Sequence, residues 1–400
     1  MQTTNDVAIV GAGIFGLTAA LSLRERGHDV TVLEAGATPN PLAASTDISK
    51  VVRLEYGGDE FYTELMEKAR QGWLRWNETL GERLYHEDGV TMLTRGPMED
   101  DAFTSQSYRL LRQRGHPLQR LDGDEIARWL PAWNANVYSD GYYNPRSGYA
   151  ESGRVVAALA RAAVNRGVRL LADWPVAGLL EEGGRVRGVR MHDGQQMQAA
   201  SVVIAAGAWT PILLPELQEV MTPVGLPVFH LKPDAPDLFR PPHFFTFAAD
   251  VARSGWYGFP LHPREGVIKV AFHGSGRVID PIRDERRVSD EEADSLRPFL
   301  KEALPSLHEA PLVHTRLCLY CDVRDGHFWI DHHPQKKGLV VASGGSGHGF
   351  KFAPVLGDLI ADAVEGKDNP DRERFRWRTI APETINQEAT RYQGSSETGR

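Results

Sequence analysis

Val7-Ala8-Ile9-Val10-Gly11-Ala12-Gly13-Ile14-Phe15-Gly16, almost at the start of the chain, is the stretch whose reading decides the fold. The apolar run Val7 to Val10 reads as a short buried strand that meets a glycine turn with no spacer. Leu17 to Arg26 follows as a helix closed by Gly27, and Asp29 to Leu33 as a second strand ending in Glu34. Gly11 permits the tight turn, Gly13 lets the backbone approach a pyrophosphate, and Gly16 lets helix and strand pack closely. Ile14 and Phe15 open the helix, where free N–H groups and the helix dipole favour an anion. Glu34, about 20 residues on, is placed to accept hydrogen bonds from ribose hydroxyls. Its charge disfavours a 2′-phosphate, so NADP is unfavourable, while NAD and FAD stay open from this unit alone. A glycine turn by itself says little; strand, glycines, helix, strand and acid in order say much more.

The 400 residues suffice for two domains, and the formal net charge of −8 argues against a nucleic-acid partner. No window approaches the ~18 consecutive apolar residues of a membrane span. The N-terminus lacks the basic segment, apolar run and cleavage site of a secretory signal, so a cytoplasmic protein is expected. Two cysteines cannot build a disulfide framework, and no metal site is expected.

Further along, Asp59 to Leu80 reads as one amphipathic helix and Asp124 to Trp129 as a short one stopped by Pro131. Trp129, Trp133, Tyr142 and Tyr143 are read as core aromatics rather than substrate contacts. Ser152 to Gly167 reads as a helix with Ser152 as N-cap and Val164 on the buried face. Val176 to Val189 reads as a hairpin around Gly183-Gly184. Ser201 to Ile204 forms a buried strand ending in Ala205-Ala206-Gly207, small residues that let the backbone pass beside a cofactor. Residues 220 to 275 read as an antiparallel sheet, Asp290 to Ala303 as a helix, and Leu312 to Leu319 as a strand. Gly338 to Ala342 is a buried strand that runs into a glycine loop, and Ala353 to Val364 is a helix. The polar tail after about Glu383 reads as frayed.

That last loop, Ser346-Gly347-His348-Gly349-Phe350-Lys351-Phe352, together with Cys318-Leu319-Tyr320, closely resembles the monomeric sarcosine oxidase family of D-amino-acid-oxidase-like flavoproteins. Arg53, the segment Trp256-Tyr257-Gly258-Phe259-Pro260 and Lys269 extend the likeness along the whole chain. The family includes sarcosine, N-methyl-amino-acid, pipecolate, saccharopine and fructosyl-amino-acid oxidases. The resemblance implies FAD rather than NAD, and an α/β plus α+β fold. In it a Rossmann-type FAD-binding domain (1–85, 150–218 and 322–385) carries a discontinuous antiparallel-sheet substrate domain (86–149 and 219–321). A flexible tail over 386–400 completes this division.

It also implies roles for particular residues. Cys318 matches the cysteine that attaches covalently to the flavin, while Cys321, three residues on, points to the other face of a strand. Lys269 interrupts an apolar strand with a cation, and its family counterpart activates dioxygen; a fixed charge in a low-dielectric site stabilises developing superoxide. His273 resembles an active-site histidine, with a packed core histidine as the alternative. Arg53 and Lys351 look like the pair that holds a substrate carboxylate, with Tyr257 and Tyr320 lining the cavity. The glycine loop (Gly344, Gly345, Gly347, His348, Gly349, Phe350) should turn its N–H groups to the flavin pyrimidine edge. Lys50 replaces the arginine of sarcosine oxidases proper beside the flavin face. The run Ser45 to Arg53 looks more like fructosyl-amino-acid and saccharopine oxidases, which suggests bulkier N-substituents. The implied protein is a monomer that takes a small amino-acid substrate and O2 and releases hydrogen peroxide. A dehydrogenase passing electrons to a quinone or protein acceptor, and a flavin-binding protein without turnover, stand as alternatives.

Overall fold

Strand Asn5–Val10 lies near the middle of a parallel sheet, with Val30–Leu33 on one side and Gln196–Ile204 on the other. Arg169–Leu171 continues the sheet beyond Val30–Leu33, and Leu339–Ser343 continues it beyond Gln196–Ile204. Trp329–His332 closes that edge antiparallel, while Val176–Glu182 and Arg185–Met191 form the expected hairpin beside Gln196–Ile204. The computed structural model describes residues 5–384, 391 and 392.

The parallel pairing aligns four strand ends. Val10, Leu33, Ile204 and Ser343 finish at the same edge, so Gly11, Glu34, Gly207 and Gly344 emerge together. The chain leaves Asn5–Val10 towards Val30–Leu33 and returns much later on its other side. That reversal is a topological switch point, where such sheets leave a crevice for ligands. Helix Ile14–Glu25 crosses from the first strand to the second and packs on Ala353–Glu365. The approach is close: a Cβ at Gly357 would lie 2.5 Å from the Thr18 carbonyl oxygen.

A second sheet of nine strands is built around Met221–Leu231, flanked by Ile268–Phe272 and Leu312–Val323. Trp256–Gly258, Thr246–Ala249, Val90–Thr94, Asp140–Asn144 and Gln119–Asp122 extend it. A small third sheet pairs Lys50–Val52 with Gly148–Ala150, and the latter with Tyr85–His86.

Residues 220–275 form antiparallel strands as expected, and the sheet's parallel pair joins Thr246–Ala249 to Val90–Thr94, which lies outside that range. Some local expectations need correction. The strand begun at Leu312 continues past Leu319 to Val323, since Met221–Leu231 supplies partners along its whole length. Ser152 does not cap its helix. The N-cap is Glu151, and the Ser152 hydroxyl donates instead to the Asp47 carbonyl oxygen. Val164 is 52% exposed, lying on the outer edge of the helix stripe. Most of the tail lies outside the described residues. Arg391 is nevertheless buried and ion-paired with Asp322, and the Tyr392 N–H donates to the His273 carbonyl oxygen. Trp133 and Tyr142 are buried in the cores, as expected. Among the described residues no helix is long and apolar enough to cross a membrane.

Candidate active site

The glycine turn is tight where packing demands it and open where a ligand would pass. A Cβ on Gly11 would sit 2.5 Å from the Ala205 carbonyl oxygen, and one on Gly16 only 1.9 Å from the Gly11 carbonyl oxygen. Gly13 meets only Ser45 Oγ at 3.4 Å, and Gly207 meets nothing within 4 Å. Glu34 ends its strand with both carboxylate oxygens fixed. One accepts the Ala12 N–H at 2.8 Å and the other Asn40 Nδ2 at 2.8 Å. Ser45 Oγ accepts the Ile14 N–H at 3.0 Å, capping the helix that faces the crevice. Phe15 reaches across to the C-terminal loop, where a Cβ on Gly345 would lie 3.6 Å from its ring and one on Gly349 3.0 Å. This cradle fits an extended dinucleotide such as FAD. Gly16→Ala should force the turn apart, costing about 1–3 kcal/mol by overpacking. The expected result is a protein with lower Tm that loses visible flavin absorbance on gel filtration.

A cavity beyond the crevice is lined by Lys50, Arg53, Tyr257, His273, Tyr320, Gly347, His348, Phe350 and Lys351. All nine lie far along the chain from Gly11 to Gly16, and each is a candidate named from sequence. Lys50 belongs to the small sheet, registered against Ala150, and its ammonium lies 3.6 Å from Cys318 Sγ. Cys318 and Cys321 are both free thiols on opposite faces of their strand, packed in separate clusters. Burial pushes the Cys321 thiol up to about 12, with Ser343 Oγ beside it. That is an inert structural cysteine.

Lys351 and Arg53 are both buried. Lys351 Nζ donates to Tyr56 Oη at 3.2 Å, and its backbone carbonyl accepts Trp73 Nε1 at 2.7 Å. Tyr56 Oη lies 3.0 Å from His348 Nδ1, while His348 Nε2 lies 2.9 Å from the Gly326 carbonyl oxygen. A carbonyl can only accept, so Nε2 carries the proton and Nδ1 takes the Tyr56 O–H. The chain of bonds orients the lysine. Arg53 donates to the Glu55 carbonyl oxygen and stacks between Tyr56 and Phe103, 5.3 and 5.4 Å from their ring centres. Tyr257 and Tyr320 share a hydrogen bond, and burial raises both phenols, so each stays protonated at neutral pH. Gly347 (φ 76°) leaves room for Tyr320, whose ring lies 2.5 Å from where a Cβ would be.

Lys269 stands apart from this cavity. It is 1% exposed, and its ammonium donates to Asp47 Oδ2 at 2.5 Å and to the Ser49 carbonyl oxygen at 2.6 Å. Burial lowers its pKa to about 8 despite the Asp47 charge. Burial also pushes Asp47 upward, but Lys269, His230, Lys50 and Arg316 outweigh it and hold its carboxyl well below the usual range. At neutral pH the pair is therefore ionised. The cation that interrupts this apolar strand is thus paired. The loop expectation also narrows, because Ser346, His348 and Gly349 donate their N–H groups to the carbonyls of Cys321 and Gly345.

Asp47 and Tyr56 carry no functional assignment from sequence. Asp47 lies three residues before Lys50 and Tyr56 three after Arg53, but nothing local distinguishes them from a turn acid and a core aromatic. Each acquires its partners only from segments distant in the chain.

The FAD dependent oxidoreductase family model matches residues 6–363. Monomeric sarcosine oxidase of Streptomyces avermitilis is 30% identical over 90% of this chain and 94% of its own. N-methyl-L-tryptophan oxidase of Yersinia pestis is 27% identical over 91% and 96%. The solved structure of fructosamine oxidase from Aspergillus fumigatus superposes with a TM-score of 0.85 at 26% identity, covering 99% of this chain and 95% of that one. The chain belongs to the FAD dependent oxidoreductase family, as an FAD-dependent oxidase acting on CH–NH donors.

Proposed function

We propose that this oxidase acts on an amino acid bearing a secondary amine, of the sarcosine, N-alkyl or fructosyl-amino-acid type, and works as a monomer. The reading is carried by one observation: two buried cations, Arg53 and Lys351, line a cavity whose other polar walls are Lys50, Thr246, Tyr257, His273, Tyr320 and His348. A carboxylate satisfies both cations, and the arginine offers it a fork of two donors. The substrate amine enters neutral and is held by the phenol pair. FAD, when bound, would supply the two-electron acceptor for the C–N bond, with O2 as final acceptor and hydrogen peroxide as product. The imine product is hydrolysed by water to an amine and a carbonyl compound. No side-chain base is required, because the cofactor carries the difficult chemistry while the protein orients the amine. Lys269 assists at the oxygen step, and His273 borders the amine.

A second cavity, lined by Tyr56, Tyr62, Phe103, Gln106 and Asp101, shares His348 with the first. That neighbouring space supports an N-substituent larger than methyl, as does Lys50 in place of arginine. The direct experiment is peroxide release from sarcosine, N-methyl amino acids, pipecolate, saccharopine and fructosyl-amino acids. Peroxide from none of them, with fast reduction of an artificial dye, would replace this reading by a dehydrogenase.

Cys318 is proposed as the point of covalent flavin attachment, with Lys50 beside it to stabilise the thiolate that attacks. Acid precipitation should then leave the yellow colour in the wild-type pellet and release it to the supernatant from Cys318→Ser. Colour released from both proteins would show a non-covalent cofactor.

A further inference from the structure

Three side chains form one row across three adjacent strands of the nine-stranded sheet. Lys269 is registered against His230, and His230 against His314 on the other side. Directly opposed residues project to the same face. The row therefore runs from His314, which is exposed, through buried His230 to buried Lys269. The two imidazole rings lie 5.0 Å apart, centre to centre. Asp47 spans the inner half, with Oδ2 2.5 Å from Lys269 Nζ and Oδ1 3.7 Å from His230 Nε2. His230 Nε2 is buried and lies beyond hydrogen-bond distance of any partner among the described residues. A buried, unbonded imidazole nitrogen aimed at a carboxylate is costly as structure alone. A modest side-chain rotation or one bridging water closes the gap.

We propose that His314, His230 and Asp47 form a proton relay that recharges Lys269 from solvent during oxygen reduction. The inference rests on reading Lys269 as the residue that assists dioxygen. O2 becomes H2O2 by gaining two electrons and two protons. Bound FAD would supply both electrons and one proton, and the Lys269 ammonium would give the other. Lys269 is then a neutral amine shut away from water. Protonated His230 passes a proton through Asp47 to the lysine, and His230 recovers one from solvent through His314. Oxygen reduction thus takes up one solvent proton, balanced by the proton released when the iminium product is hydrolysed. Positive charge borders the row: Lys50 and Arg316 act on Asp47, and Arg316 also acts on His314. Burial, His230 and Arg316 lower the pKa of His314, so its ring is neutral and ready to accept.

The test uses holoenzyme reduced anaerobically by substrate and then mixed with oxygenated buffer. His230→Gln is expected to slow flavin reoxidation at least about ten-fold, a modest share of what general acid catalysis contributes. Added imidazole should restore part of the rate, and the solvent deuterium isotope effect should grow. Flavin reduction by the amine should stay within about two-fold. His314→Gln, an exposed change that spares the fold, should give a smaller loss that rises with falling buffer concentration. Side-chain 15N NMR of the oxidised protein gives a readout apart from turnover: the His230 titration midpoint should move in Lys269→Met. Undiminished reoxidation in Lys269→Met would remove the underlying reading of the lysine. Slow reoxidation in Lys269→Met beside wild-type rates in both histidine variants would overturn the relay alone. A slow His230→Gln that imidazole does not restore, with an unmoved NMR midpoint, would mark a structural histidine and overturn it equally.

Discussion

Replacing Lys269 with Met is expected to slow reoxidation of the reduced flavin by oxygen on the order of 10²–10³-fold, the usual cost of removing one preorganised electrostatic group. Amine oxidation, followed anaerobically as flavin bleaching, should change little. Two structural facts shape the prediction. First, the ammonium is fully buried yet ionised, because Asp47 and the Ser49 carbonyl oxygen hold it. Its pKa of about 8, set by burial and partly offset by Asp47, places the charge at risk just above neutrality. Lysine is cationic below its pKa and neutral above it, so oxygen reactivity should fall as pH rises through about 8. Lys269→Met should show no such step. Second, the substitution leaves Asp47 buried without its cation, a loss of about 3–5 kcal/mol. Lys269→Met combined with Asp47→Asn removes the orphaned charge and should recover most of the lost Tm while oxygen reactivity stays low. Recovery of both together would mean that the lysine serves stability rather than oxygen.

The second large effect is expected at Arg53. Truncating one member of a buried, hydrogen-bonded charge pair costs about 2–5 kcal/mol. Arg53→Met should therefore lower kcat/KM on the order of 30- to several thousand-fold, mostly through KM. Lys351→Met should lose less, because its point charge lacks the arginine's two-pronged geometry. A simple carboxylate that perturbs the flavin spectrum of the wild type should fail to do so in Arg53→Met. An amine substrate without a carboxylate should discriminate poorly between the two proteins. If Arg53→Met lowers turnover equally with and without a carboxylate on the substrate, Arg53 does not bind that group. The packing of Arg53 between Tyr56 and Phe103 means that Met, rather than Ala, is the informative replacement, since it keeps the apolar contact.

Local pattern carried much of the framework. The strand, glycine turn, helix and acid from Val7 to Glu34 are legible because each depends on its neighbours: burial of a short apolar run, a left-handed φ at Gly11, a helix stripe. The long helix ending at Thr79 and the helix Asp290–Ala303 were equally legible from period and caps. Val164 and Ser152 were misread because helical period fixes a face only to within about one residue. A serine before a helix also has more than one carbonyl or N–H within reach.

The sequence by itself determined that a nucleotide sits at the end of a parallel sheet, and its family likeness identified that nucleotide as FAD. That likeness also singled out Lys50, Arg53, Cys318 and Lys351, while Lys269 stood out as a cation in an apolar strand. Only the tertiary structure decided which of these meet. Lys50 and Cys318, 268 positions apart, approach to 3.6 Å, and Lys269 finds Asp47 222 positions away. The reason is physical: a strand or turn follows from forces between near neighbours, whereas the charge state of a buried lysine depends on whichever distant segment supplies its carboxylate.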